Sequence, residues 1–262
     1  MLPFFRKIRY RLAKDNKFLQ YSRYAIGEIV LVVVGILIAL QINNWNQWRQ
    51  EREVEQTVLE QLKEDYLSNL AQLEQKIEIR NALIDAALSI LESTDNPEQV
   101  IRDSLIADLT VLLIDPTFDP IENDLSSAGD LRLITNKELK HLLSTWTADI
   151  IAVREIEQDW STIVYEQLQS VFSDLGISRD LANHFTNDLD LEWQLEKGAN
   201  LKKMPIGRAR QGASVEEIAQ SKELEGLVSF AITYNSAANL ESETLRKHIK
   251  RIIQLIEGEI EK

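Results

Sequence analysis

The sequence predicts an all-α protein. It consists of a single N-terminal transmembrane helix that continues into a long stalk helix, and an antiparallel bundle of three to four long helices. Three observations support this prediction. Apolar residues recur at three- and four-residue spacing, which is the period of an α-helix. No stretch alternates apolar and polar residues for long enough to form a strand. One apolar stretch near the N-terminus is long enough to span a membrane.

The apolar stretch covers residues 25–42, AIGEIVLVVVGILIALQI, and it is free of polar side chains from Ile29 to Leu40. A helix of that length spans about 27 Å, close to the hydrocarbon thickness of about 30 Å. We therefore predict a transmembrane helix over residues 24–45. The alternative is a buried core helix of a soluble protein.

Aromatic residues stand at both ends of this stretch, Tyr21 and Tyr24 before it and Trp45 and Trp48 after it. Amphipathic rings at both ends of an apolar span are typical of the two membrane interfaces. We predict that these four residues are membrane-boundary anchors, so that the lipid bilayer is one partner of the chain.

Charge is distributed unevenly around the span. Residues 1–42 carry seven basic and two acidic side chains, whereas residues 43–262 carry 22 basic and 40 acidic ones. The positive-inside rule places the basic segment, residues 1–23, in the cytoplasm. Residues 46–262 then form an extracytoplasmic domain, which in a Gram-negative cell is periplasmic and anchored in the inner membrane. No small-x-small cleavage site occurs after the span, so we expect it to stay attached.

One stripe of the predicted membrane helix carries Glu28, Gly35, Ala39 and Asn46. At about 100° per residue these four positions lie within about 20° of the direction of Glu28. Small residues let two helices approach closely, and polar groups can bond across such a contact. We interpret the stripe as a helix–helix interface, so that a homo-oligomer or another membrane protein is expected as partner. The alternatives are that Glu28 snorkels to the headgroups or carries protons.

The segment YAIGEIVLVVVGILIALQINNWN, residues 24–46, comes after the short start FFRKIRYRL. It resembles a family of uncharacterised, N-terminally anchored membrane proteins of Gram-negative bacteria that share a domain of unknown function. A later stretch, PTFDPIENDLSSAGDLRLITNKELKHLLSTW, residues 116–146, is similar to the family's central motif. The resemblance implies one membrane helix and a helical extracytoplasmic body. It implies no activity and therefore no catalytic residue.

The positions of glycine, proline and capping residues predict the long helices of the extracytoplasmic domain. Neither glycine nor proline occurs between Gly35 and Pro97, which predicts one helix continuing to about Ser93. A capping box beginning at Thr135 predicts another long helix that ends at Gly176. A further capping box at Ser214 begins the last helix, or a broken pair of helices, which runs to about Glu261. The aliphatic stripes fit packing within one chain and also an intermolecular coiled coil, and packing within one chain is the preferred interpretation.

Motifs for chemistry are missing from the sequence. It has no cysteine, and its three histidines, His141, His184 and His248, lie far apart. No phosphate-binding loop, dinucleotide motif or nucleophile elbow occurs. The acids between Asp115 and Asp130 do not have the order of an EF-hand and are assigned to turns and caps. We predict no enzyme activity, no metal and no cofactor.

A basic segment, residues 197–210, contains five cations and no acid in a body that is otherwise acidic. Four of them, Lys202, Lys203, Arg208 and Arg210, are candidates to dock an anionic group, an acidic neighbouring subunit or the body of the same chain, with the last two favoured. The alternative is a solvated loop. Nucleic acid is not an expected partner, because the net charge of the chain is −13.

These observations predict a non-enzymatic, single-pass inner-membrane protein whose periplasmic helical bundle serves self-assembly or an envelope complex. One alternative is an ion-coupled transmembrane module in which Glu28 works with a multi-span partner. A second alternative is a periplasmic bundle that senses a ligand, although the cytoplasmic segment is too short for an output domain.

Overall fold

The computed structural model describes residues 10, 18–122, 130–188, 203–204 and 206–260. The chain divides into two compact units, Met1–Thr57 and Val58–Lys262. Every regular element in the described residues is helical, and these residues contain no strand. The predicted all-α class is therefore confirmed.

The first four helices are α1 (Phe18–Asp95), α2 (Arg102–Val111), α3 (Lys137–Ile163) and α4 (Gln169–Asp174), with a π-helical turn Val164–Leu168 between the last two. They are followed by α5 (Ser178–Asn187), α6 (Val215–Ala219) and α7 (Lys222–Ile260). Two short 3₁₀ turns, Pro97–Gln99 and Asp130–Arg132, lie between the longer elements.

Helix α1 is unbroken over 78 residues. Its two glycines, Gly27 and Gly35, lie near its start, and the next proline, Pro97, comes just after its end. The long helix predicted from this pattern is therefore present, and it ends at Asp95, two residues beyond Ser93.

Two helix starts differ in how well the sequence predicted them. Ser214 begins α6 with the predicted capping box, in which its side chain and that of Glu217 exchange hydrogen bonds with each other's backbone N–H groups. Helix α6 ends at Ala219 and α7 begins at Lys222, so the end of the chain contains the broken pair of helices and not one continuous helix. At α3 the cap is Asn136 and not Thr135. The Asn136 side chain accepts from the backbone N–H groups of Glu138 and Leu139, both at 3.0 Å. Asparagine caps helices at least as well as threonine, so the start moves by one residue.

The π-helical turn has a cause in the spacing of buried residues. Trp160, Val164, Leu168 and Phe172 are buried at intervals of four residues. In an α-helix each four-residue step drifts by about 40° around the axis. A π turn contains more residues per turn, so Val164–Leu168 keeps this row on the face that packs into the core.

The second unit contains two apolar cores. One is formed by α1, α2, the segment from Trp160 to Phe172, α5, α6 and the first part of α7. The other is formed by the region of α1 around Leu59–Leu73, the first part of α3 and the last part of α7, together with Phe118 and Ile134. Helices α1, α3 and α7 thus contribute to both cores.

Candidate functional site

The predicted interface stripe lies on a continuous part of α1. Gly35, Ala39 and Asn46 are exposed, and Glu28 is half-buried. Apart from the adjoining backbone of α1 itself, a Cβ atom built at Gly35 would meet no atom within 4 Å. Because α1 is helical throughout, the four residues share the face expected from their spacing.

The apolar side chains around this stripe are exposed in every direction. Between Ile29 and Ile42 their relative exposures run from 46% at Val34 to 74% at Leu31. The most apolar window of this helix has a mean hydropathy of 2.6, and none of it is buried. A core helix of a soluble protein would be covered by other parts of the chain. This helix could cross a membrane by length and composition.

The rings predicted to mark the membrane boundary are also on α1. Trp45 and Trp48 are 61% and 60% exposed, and Tyr24 is 45% exposed. Tyr21 lies in the helix, but its side chain is outside the described part of the structure.

Part of the basic segment contacts other parts of the same chain. The Nη2 atom of Arg208 lies 2.6 Å and 2.9 Å from the two carboxylate oxygens of Asp103 on α2. The backbone N–H of the next residue, Ala209, donates to Asp180 on α5 at 2.7 Å. Lys203 and Arg210 are exposed, and Lys202 falls outside the described residues.

A polar cavity of about 340 Å³ lies between α2, α5 and the segment around Arg208. Its charged side chains are largely paired with one another. Arg102 donates to Asp180 at 2.8 Å, and Arg208 pairs with Asp103. His184 lies 3.8 Å from the Asp188 carboxylate. Both arginines of the cavity wall are thus paired with carboxylates of the same chain.

The acid-rich segment after α2 is tied to α1 and α3. Asn69 of α1 binds the backbone of Ile121 twice: its amide oxygen accepts from the N–H at 2.8 Å, and its amide nitrogen donates to the carbonyl at 3.0 Å. Arg154 of α3 pairs with the carboxylates of Asp119 and Glu122, both at 2.9 Å. These carboxylates bind a cation of the same chain. Asp124, another of the acids between Asp115 and Asp130, lies outside the described part of the structure.

The most unusual arrangement is a buried ion pair that the sequence analysis missed. Arg80 of α1 is 0% exposed and Glu157 of α3 is 3% exposed. The Arg80 Nη2 atom donates to Oε1 of Glu157. The Arg80 Nη1 atom donates to Ser242 Oγ at 2.9 Å and to Asn239 Oδ1 at 3.3 Å, both on α7.

The second carboxylate oxygen of Glu157 accepts the backbone N–H of Phe118 at 3.0 Å. The Nε atom of Arg80 and the indole Nε1 of Trp160 are buried and have no hydrogen-bond acceptor among the described residues. Asn239 borders the three residues Arg80, Glu157 and Ser242, which we call the polar layer. This layer joins the three long helices and the segment that carries Phe118.

Burial dominates the electrostatics of the polar layer. It raises the pKa of the Glu157 carboxyl group, against the opposing effects of Arg80 and the Phe118 N–H. Burial also lowers the pKa of the Arg80 guanidinium, which stays protonated at any ordinary pH. Lys76, one turn before Arg80, is half-buried, and burial lowers its pKa while Asp115 and Glu157 oppose that change.

The polar layer lies between the two apolar cores. Along α3, Val153 belongs to one core and Trp160 to the other, with Glu157 between them. Along α7, Ala231 belongs to one core and Leu245 to the other, with Asn239 and Ser242 between them. The layer therefore interrupts an interior that is apolar on both sides.

A signal for this layer was present in the sequence. The apolar stripe of α1 skips one turn near Arg80. In α3 an acid, Glu157, stands four residues after Val153 and three before Trp160, which is a core position by spacing. Two opposite charges at core positions of two helices indicate a buried pair, but the sequence does not say that they meet.

The described residues contain no group of three or more His, Cys, Asp or Glu side chains that could hold a metal ion. His248 lies 3.0 Å from the Asp149 carboxylate, and this pair is one of several polar contacts between α7 and α3. His141 is exposed.

One family model matches part of the chain, and the match includes most of the exposed apolar helix. Residues 28–105 match a family of unknown function, DUF6090. The match begins at Glu28 and covers the rest of α1 and the start of α2. Residues 116–146, the second stretch that resembles the family of anchored membrane proteins, lie outside the matched residues. No curated protein and no solved structure matches the chain.

Proposed function

We propose that this chain is a single-pass inner-membrane protein of a Gram-negative bacterium. Its N-terminus is cytoplasmic, its helical bundle is periplasmic, and its role is assembly and not catalysis. The observation that carries this proposal is the apolar part of α1, none of which is buried in its most apolar window. Exposing so many aliphatic side chains to water is unfavourable by about 25 cal/mol per Å² of apolar surface. A lipid environment removes that cost.

The residues after the apolar stretch favour an anchor over a cleaved signal segment. The helix continues without interruption from the apolar residues through Trp45 and Trp48. Signal cleavage requires small residues at a defined spacing after the apolar region, and this chain has large ones there. The net charge of +5 before Asn43 favours a cytoplasmic N-terminus.

The topology is tested by single-cysteine labelling, since the natural chain has no cysteine. Lys247→Cys in α7 and Tyr10→Cys are both at exposed positions. With a membrane-impermeant maleimide we expect Lys247→Cys to react when only the outer membrane is permeabilised, and Tyr10→Cys to react only after lysis. Labelling of Tyr10→Cys before lysis, or recovery of Lys247→Cys in the soluble fraction, would contradict the proposal.

We further propose that copies of the chain associate through the stripe of Glu28, Gly35, Ala39 and Asn46. A helical glycine costs about 0.5–1 kcal/mol relative to alanine. Within one chain no atom lies close enough to Gly35 to require that glycine. A second helix packed closely against the stripe would supply the reason.

The stripe is tested by the mass of the full-length protein in mild detergent. We expect wild type to form a defined oligomer, and Gly35→Leu and Glu28→Ala to fall to the mass of one chain, 30.1 kDa. Gly27→Leu is the matched control, because Gly27 has equally open surroundings but lies about 100° from Glu28 around the helix. If wild type already has the mass of one chain, self-association through the stripe is wrong. If Gly27→Leu dissociates the oligomer equally well, the stripe is not the contact face.

A further inference from the structure

The two apolar cores of the second unit leave the axial alignment of α1, α3 and α7 in need of an explanation. Helices α1, α3 and α7 carry aliphatic residues at three- and four-residue spacing on both sides of the polar layer. Apolar stripes of this kind can pack in more than one axial position, because a shift of one heptad places aliphatic residues opposite aliphatic residues again. The repeat of aliphatic residues alone therefore does not select a single alignment.

The polar layer distinguishes one alignment from the others. A one-heptad shift of α1 would bring Leu73 or Ala87 to the position of Arg80. Both residues are 0% exposed and neither can donate a hydrogen bond from its side chain. Glu157 would then be buried without its cation, and Arg80 would lie among apolar side chains. Each of these outcomes is strongly unfavourable, since an unpaired charge in a protein interior is costly.

Arg80 also opposes pairing of α1 with the α1 of another copy. In a parallel, in-register pair, equivalent residues face each other across the contact. Two guanidinium groups would then meet in the interior with no carboxylate from α3. The same residue that fixes the alignment within one chain thus disfavours the intermolecular coiled coil.

We propose that the polar layer is a register lock, which holds α1 in one axial position against α3 and α7 of its own chain. It holds the part of α1 around Arg80 against α3 and α7, so that this part of the helix is not available for coiled-coil association between copies. The inference goes beyond the proposed function and does not depend on the membrane stripe. Buried polar groups that select register at a cost in stability are known in coiled coils.

The alignment is measured by disulfide cross-linking in the full-length, otherwise cysteine-free protein. The Asn239 amide nitrogen donates to the Asn81 amide oxygen at 2.8 Å, so Asn81→Cys with Asn239→Cys reports the native register of α1 and α7. This pair leaves the ion pair of Arg80 with Glu157 and the Arg80 contact with Ser242 unchanged. Asn81→Cys with Ile232→Cys, or with Arg246→Cys, reports a shift of one heptad in either direction. The layer is made apolar by Arg80→Leu, Glu157→Leu and Ser242→Ala together.

With the natural layer we expect only the native pair to form a disulfide within one chain under mild oxidation. In the apolar-layer variant, the preference of the native pair over a shifted pair should fall by at least about tenfold, because no unpaired buried charge then opposes the shift. Single Asn81→Cys should also form more disulfide-linked dimers in the apolar-layer variant. A shifted pair that stays at background in that variant would overturn the proposal.

If the apolar-layer variant does not fold, Arg80→Leu with Glu157→Gln provides the second test, because the glutamine still accepts the Phe118 N–H. A native-only pattern in this variant likewise overturns the register lock. Cross-links within one chain form whether or not the membrane segments associate, so failure of the proposed assembly stripe leaves this result interpretable.

Discussion

Replacing Glu157 by leucine is expected to lower the free energy of unfolding by about 3–5 kcal/mol. The change leaves the Arg80 guanidinium buried without its carboxylate, at a position that is 0% exposed. It also removes the acceptor of the Phe118 backbone N–H. Since arginine stays protonated at any ordinary pH, the unpaired charge in the variant cannot be relieved by titration.

Arg80→Leu is the informative comparison, because it leaves a buried group that can be neutralised. Burial raises the pKa of Glu157, so in the folded state the protonated form is favoured more than in the unfolded chain. Protonation therefore stabilises the folded variant at acid pH, and this stabilisation is lost as pH rises through the folded-state pKa. We expect the destabilisation by Arg80→Leu to be smaller at pH 5 than at pH 8.

Both variants are compared with wild type by urea unfolding of the full-length protein in mild detergent, monitored by circular dichroism. The double variant Arg80→Leu with Glu157→Leu is the control, and it should recover most of the stability that Glu157→Leu loses, because no unpaired charge is left. If Glu157→Leu costs less than about 1 kcal/mol, the ion pair is not buried as described.

The second large effect is expected for Phe118→Ala, which should cost about 3–5 kcal/mol. Phe118 is 0% exposed and belongs to the same apolar core as Leu59, Leu143 and Ile249. Removing its ring leaves a cavity in this core. It also removes the apolar contact of the segment after α2, which Asn69, Glu157 and Arg154 hold by polar contacts.

The matched control is Ile121→Ala in the same segment. Ile121 is 44% exposed, and its backbone stays bound to Asn69 whatever its side chain. We expect a loss of about 1 kcal/mol or less for this change. Urea unfolding measures both variants, and equal losses at the two positions would contradict the role of Phe118 as an anchor.

Local rules for helices made much of the fold predictable. The absence of glycine and proline between Gly35 and Pro97 is enough to expect α1, and the structure has it as one helix. The start of α6 at Ser214 is explained by a local capping box. The start of α3 was misplaced by one residue, because Thr135 and Asn136 are adjacent candidates and local sequence does not rank them reliably.

One part of the candidate site could likewise be predicted from the sequence, and another part could not. Glu28, Gly35, Ala39 and Asn46 share one face of α1 because a helix has a fixed angle per residue, so their grouping needs no tertiary contact. The polar layer, in contrast, joins Arg80 to residues 77 and 162 positions away in the chain. Pairing over such separations depends on how the helices pack, which no local pattern encodes.

The sequence by itself determined that this protein is helical, that one helix is apolar enough to cross a membrane, and where α1 ends and α6 begins. These properties depend on intrinsic propensity, on periodicity and on residues within one or two turns of each other. Only the tertiary structure decided that Arg80 meets Glu157, that Phe118 fills the core beside them and that Arg208 pairs with Asp103. Each of these contacts joins segments distant in sequence, and whether a charge at a core position is tolerated depends on the partner that packing brings to it.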